Sequence, residues 1–165
     1  MLSTIEEGMM SRLLRAAEQQ VTVERGQFAL CDSEIPFEDD PWALPGLGGH
    51  QLAVSRGGAM VASTVAAHDT VVRLEVWDGQ PQQREGAALG EAKLEVPSGS
   101  VFAWSVPHGP AGDPLELDGE GTYNFRVVRF GGGPEAQARQ QAATPPLFTG
   151  LERYEIQMWR CSASQ

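Results

Sequence analysis

From Val21 onward, apolar and polar residues alternate with a period of two. Val21 and Val23 set the rhythm, and Phe28 and Leu30 continue it beyond Gly26. Val72, Leu74 and Val76 oppose Arg73, Glu75 and Trp77, while Ala92, Leu94 and Val96 oppose Lys93 and Glu95. The same alternation sets Tyr123, Phe125 and Val127 against Asn124, Arg126 and Val128, and Tyr154, Ile156 and Met158 against Glu155, Gln157 and Trp159. Period two sends neighbouring side chains to opposite faces, so each run predicts a strand with one buried face. The run 101–106 is apolar on both faces and predicts a central strand. Weaker strands are expected at 51–55, 60–66 and 115–117, and a bulge is expected at Gly26. Asp78-Gly79 and Pro97-Ser98-Gly99 supply turns between strands. Eight or nine short strands with no strand–helix alternation predict a mainly β fold. Its expected form is an antiparallel β-sandwich, or a flattened barrel.

Before Val21 the period is different. Ile5, Met9, Leu13, Ala16 and Ala17 recur at three- and four-residue steps. Ser3 or Thr4 stands at a capping position, with Glu6 and Glu7 in the first turn. This predicts one N-terminal α-helix from Ser3 to Gln20. The expected organisation is therefore a helix over 1–20 and a single β-sandwich domain over 21–165. The helix would dock on the sheet or join two copies into a homodimer. Long loops are expected at 32–49 and 131–150, the second opening on three glycines and containing helix formers at 135–143.

Composition adds class and charge. The chain has 165 residues, 41% hydrophobic and 21% charged, the balance of a globular domain with a core of its own. Its formal net charge of −10 opposes nucleic acid and anionic membranes and favours a basic protein partner. The same charge also serves plain solubility. The two cysteines, Cys31 and Cys161, point to a reduced chain and a cytoplasmic location. No apolar run reaches the length of a membrane span, and no signal peptide is visible.

Candidate chemistry is sparse. His50, His68 and His108 lie far apart and no Cys-x-x-Cys occurs, so neither a metal site nor a cofactor is expected. His68-Asp69 with His108 is the one scattered set from which a catalytic site could be assembled. Cys31 and Cys161 have no neighbouring His or Lys to activate them, and the Gly131-Gly132-Gly133 triplet lacks the Lys-Ser/Thr end of a phosphate loop. No catalytic residue is assigned. Arg126, Arg129 and Arg160 are expected to pair with strand glutamates. The acidic run Asp32, Glu34, Glu38, Asp39 and Asp40 contains no Lys or Arg and lacks the register of a calcium loop. It reads as a solvated loop or as a surface for a basic partner. Trp42, just beyond it, would pin the loop or anchor an interface.

The C-terminal third carries Gly121-Thr122-Tyr123-Asn124-Phe125-Arg126-Val127 and then Glu152-Arg153-Tyr154-Glu155-Ile156-Gln157-Met158-Trp159. With the early Gly26-Gln27-Phe28-Ala29-Leu30 strand, this layout resembles uncharacterised actinobacterial β-rich proteins. It is also similar to the competence-type inhibitors of nucleases that act in DNA uptake, which are small, acidic and rich in strands. The resemblance implies a non-enzymatic protein-binding domain, an immunity or inhibitor protein against a basic toxin or nuclease. The alternative is a β-sandwich that binds a small molecule or carbohydrate, with Trp42, Trp77 or Trp104 lining the pocket.

Overall fold

A computed structural model describes residues 10–34, 46–106 and 108–161. The first strand, β1, is Leu13–Val23, and β2 is Gln27–Asp32. Then come β3 (Leu52–Ser55), β4 (Gly58–Ala62), β5 (His68–Trp77), β6 (Ala87–Val96) and β7 (Ser100–Ser105). The short strands β8 (Gly109–Pro110) and β9 (Leu115–Glu116) precede the long β10 (Gly121–Gly131). A helix, α1 (Gly133–Ala142), leads to the last strand, β11 (Glu152–Arg160).

The strands form two sheets. One has the order β1-β5-β11-β10-β6, the other β3-β4-β2-β7-β8, with β9 also pairing β7. Inward side chains of both meet in one core. Val72, Leu74, Phe125, Val127, Ile156 and Met158 from the first sheet pack with Phe28, Leu30, Val61, Val101 and Ala103 from the second. The strands read from the alternation are present, and β7 pairs on both sides, as its two apolar faces require. Pairing is antiparallel except for β5 with β11, which run parallel. A tight turn forces neighbours in sequence to be antiparallel, whereas these two strands are far apart in the chain and free to align either way.

Two expectations are corrected. The segment read as the end of an N-terminal helix is β1, paired residue by residue with β5 from Arg15↔Val76 to Val23↔His68. Leu13, Ala16 and Ala17 tolerate a helix, but propensity is worth only tenths of a kcal/mol per residue. Pairing with β5 buries Gln19, Val21 and Val23, and this outweighs it. The strand runs unbroken through residue 20, so no helical face exists over 13–20 to join two copies; residues 1–9 lie outside the described residues. Among the described residues the one α-helix stands instead at 133–142, inside the expected loop. The second correction is at Gly26. Arg25 (φ 56°) and Gly26 (φ 68°) form a tight turn closed by the Glu24↔Gln27 bridge, not a bulge, and this turn carries the chain from one sheet to the other.

The outer edge of β1 is fastened to the second sheet by side chains. Gln19 Oε1 accepts Ala103 N at 2.7 Å, and Gln19 Nε2 donates to Asp113 O at 2.7 Å. Thr22 N donates to Ser105 Oγ at 2.9 Å. These bonds satisfy backbone groups that an open edge would leave to water.

Candidate functional site

The acidic segment begins at a firm base. Asp32 is buried, and its carboxylate accepts the N–H of Glu34 and of Ser98, each at 2.9 Å. Ser33 Oγ lies 2.6 Å from Ser100 Oγ. Glu34 is exposed just beyond. Glu38, Asp39, Asp40 and Trp42 lie outside the described residues. Of the run that was read as a partner surface, Asp32 thus shapes the base and Glu34 faces solvent. Beside this base, the outer face of the second sheet is apolar. Ala29, Cys31, Met60, Phe102 and Trp104 cluster there, with Leu47 and Val106 against them. Period two alone places Ala29, Cys31, Phe102 and Trp104 on that face.

Cys31 and Cys161 are both free thiols. Burial, and then the charge of Asp32, push the Cys31 thiol up to about 12. A thiol held protonated is a poor nucleophile. Titration with a disulfide reagent at pH 8 is therefore expected to show one reactive thiol per native chain, Cys161, and a second only in denaturant. Two fast thiols in the native protein would contradict the buried placement of Cys31.

The scattered catalytic set does not converge. Asp69 Oδ1 accepts from Thr22 Oγ1 at 2.9 Å, and His108 Nε2 lies 3.3 Å from Glu24 Oε1 at the surface. His68 instead joins a buried polar knot around Glu152, a residue the alternation marked only as the start of a strand. Both side chains are fully buried, with His68 Nε2 3.2 Å from Glu152 Oε1. Ser63 Oγ and Tyr154 Oη donate to Glu152 Oε1 at 2.6 and 2.7 Å. Thr64 donates to Glu152 Oε2 twice, from N at 2.9 Å and from Oγ1. Burial alone would raise the Glu152 pKa. The bonds from His68, Ser63, Thr64 and Tyr154 outweigh it and hold the carboxyl down at about 2. A relay to a serine would need the acid on the other imidazole nitrogen. Here acid and serine share Nε2, and Nδ1 has no partner among the described residues. The knot is built to hold charge in place.

The glycine triplet belongs to this knot. Gly131, Gly132 and Gly133 all have φ between 76° and 81°. A Cβ at Gly132 would sit 2.6 Å from Glu152 Oε2 and 2.9 Å from Thr64 Oγ1. Glycine lets the chain press against the carboxylate and turn into α1. Gly133 N then donates to Thr64 Oγ1 at 2.7 Å, and Gln137 Nε2 to Thr64 O at 2.6 Å. Ala136 packs with Val65 and Leu151 and docks the helix.

The outer face of the first sheet carries a polar row that only register could assemble. Glu75, Gln157, Arg126 and Glu91 stand opposite one another on β5, β11, β10 and β6. Arg126 Nε donates to Glu91 Oε2 at 2.8 Å and Arg126 Nη1 to Gln157 Oε1 at 3.2 Å. Arg73 Nε and Trp77 Nε1 donate to Glu75 at 2.7 and 3.0 Å. The connection from Asp78 to Gly86 crosses this row as a strap. Arg84 reaches Glu75 at 3.3 Å and Glu155 at 2.9 Å, and Pro81 O accepts from Arg126 at 3.1 Å. Glu75, Gln157 and Arg126 are buried as a result. Arg126 thus pairs with a strand glutamate as expected. Arg129 donates instead to Gly131 O, and Arg160 to the carbonyls of Asp118 and Glu120.

Of the tryptophans, Trp104 and Trp159 are buried, whereas Trp77 is half-buried and lines a cleft. Among the described residues no group of three His, Cys, Asp or Glu side chains converges as a metal site, and no helix is long and apolar enough to cross a membrane.

No family model matches the chain, and no curated protein matches it in sequence. Two solved structures share its fold. ComJ of Bacillus subtilis, an inhibitor of the DNA-degrading activity of NucA, superposes with a TM-score of 0.61 at 10% identity, covering 92% of this chain and 99% of ComJ. The crocagin biosynthetic gene J product superposes with a TM-score of 0.58 at 12% identity, covering 90% of this chain and all of the other. The fold is shared with these two proteins, ComJ among them, in line with the resemblance in layout read from the sequence.

Proposed function

We propose that this protein is a non-catalytic binding domain that inhibits a basic partner, a nuclease or toxin, in the manner of an immunity protein. The observation that carries this reading is a shared two-sheet architecture along nearly the whole chain with ComJ, an inhibitor of a DNA-degrading activity. The net charge of −10 suits a basic partner, since opposite charge speeds encounter. The contact surface in this reading is the acidic segment. Glu34, Glu38, Asp39 and Asp40 meet the partner, Trp42 anchors it, and buried Asp32 holds the base. A cytoplasmic location fits this role.

The test is retention and inhibition of nuclease activity. An extract of the native cells is passed at low salt over the immobilised protein, and DNA degradation is assayed in both fractions. The expected result is a retained nuclease that added protein inhibits at a stoichiometric ratio. Asp39→Lys with Asp40→Lys should slow association by about tenfold or more at low salt and flatten its salt dependence. No nuclease activity on the column would sink the inhibitor reading. Unchanged association by the double variant would remove the acidic segment from it.

A further inference from the structure

The strap from Asp78 to Gly86 does more than cover polar side chains. Between it and the segment preceding β1 lies a cleft of about 440 Å³, within the size range of small-ligand sites. Its lining includes Trp77, Gln80, Gln82, Gln83, Arg84 and Met10.

Three features define what it would hold. First, the aromatic wall is set in advance. Trp77 Nε1 is tied to Glu75 Oε1 at 3.0 Å, and the Arg84 guanidinium sits 5.9 Å from the ring centroid. The strap itself is pinned by Ser11 Oγ on Gln80 O at 3.0 Å and by Arg126 on Pro81 O. A wall fixed before binding loses little entropy on binding. Second, the rim presents three side-chain amides, of Gln80, Gln82 and Gln83, which make no hydrogen bond among the described residues. Each offers two donors and an acceptor. Third, Arg84, the charged side chain of the lining, already has its charge paired with Glu75 and Glu155. A ligand suited to this cleft has an apolar face, several groups that both donate and accept, and no charge. The lining residues from Gln80 to Arg84 lie in no strand, so the cleft gives an extended peptide no open edge to pair with.

We propose that this cleft binds an uncharged carbohydrate, with a pyranose ring stacked on Trp77 and its hydroxyls bonded to the amides of Gln80, Gln82 and Gln83. The proposal stands apart from the inhibitor role and uses none of its residues.

The test is a titration of the full, isotope-labelled chain, following the Trp77 indole N–H and the glutamine side-chain amides by NMR. The probes are maltoheptaose, cellohexaose, mannohexaose and hexa-N-acetylchitohexaose, with a blocked alanine pentapeptide as the comparison. At least one sugar is expected to move these signals saturably, and the pentapeptide is not. Gln82→Ala with Gln83→Ala, both exposed, should weaken that binding about tenfold or more while leaving the melting temperature unchanged. Trp77→Ala should abolish it. Asp39→Lys with Asp40→Lys should leave it intact, which separates this site from the inhibitor surface. The proposal fails if no sugar gives a saturable shift. It also fails if the amide variant binds as well as the parent, or if the pentapeptide binds equally.

Discussion

Glu152→Ala is expected to cost about 3–5 kcal/mol of unfolding free energy, a large share of the ~5–15 kcal/mol typical of a domain. The substitution leaves buried Tyr154 and His68, and half-buried Ser63 and Thr64, without their acceptor. Each such group costs about 1–3 kcal/mol when left unmade, and partial relaxation keeps the sum below the simple total. Glu152→Gln retains the shape but turns one acceptor into a donor facing other donors, so about 2–3 kcal/mol should still be lost. Urea unfolding at pH 7 measures both. A loss below about 1 kcal/mol for the alanine variant would mean that the knot is not what joins the β4–β5 connection to β11.

The same residue sets an acid limit. Its folded-state pKa of about 2 lies below the ordinary 4.5. A depressed carboxyl stabilises the fold fully above its unfolded-state value, and that stability disappears as pH falls through the folded one. Roughly 3 kcal/mol should therefore drain away between about pH 4.5 and pH 2. Denaturation midpoints measured across that window should fall for the parent, and Glu152→Gln should fall by distinctly less.

Arg126→Leu, on the outer face of the first sheet, is expected to cost about 3 kcal/mol. Arg126 is only 2% exposed. Its removal strips the donor from Pro81 O and Gln157 Oε1 and vacates its place beside the Trp159 ring, 5.3 Å away. Glu91 is half exposed and recovers solvation, which keeps the loss below that of Glu152→Ala. Arg126→Lys restores charge but not the planar fork that reaches three acceptors, so most of the deficit should remain. Because Arg126 also pins the strap, trypsin should cut after Arg84 faster in Arg126→Leu than in the parent. Equal cleavage at equal global stability would show that the strap is held by Arg84 and its two carboxylates alone.

These two centres also mark how far the chain could be read without its fold. Alternation assigned inner and outer faces correctly on β5, β10 and β11, because a pleated strand has no other way to place neighbouring side chains. It also suggested that Glu75, Glu155, Gln157 and Arg126 would face water, since they are the polar half of the pattern. They are buried because a strap from another part of the chain lies over them, and no local pattern announces that. In the sequence the glycine triplet marks only the opening of a long loop, whereas Gly132 clears space for a carboxylate twenty positions onward in the chain. Ala16 and Ala17 suit a helix equally well; β5, fifty-odd residues away, decided that they lie in a strand.

By itself, the order of residues determined that this would be a mainly β chain with two faces per strand, a mixed apolar core and a strong negative charge. Those properties follow from local periodicity and from counting. Only the tertiary structure decided which strands pair, that β5 and β11 run parallel, and that Glu152 gathers its donors from Ser63, Thr64 and His68, more than eighty residues earlier, as well as from its neighbour Tyr154. It likewise placed Trp77 on a cleft and Trp104 in a buried cluster. Contacts across long sequence separations depend on register and on what covers each face, and neither is written in any short window of sequence.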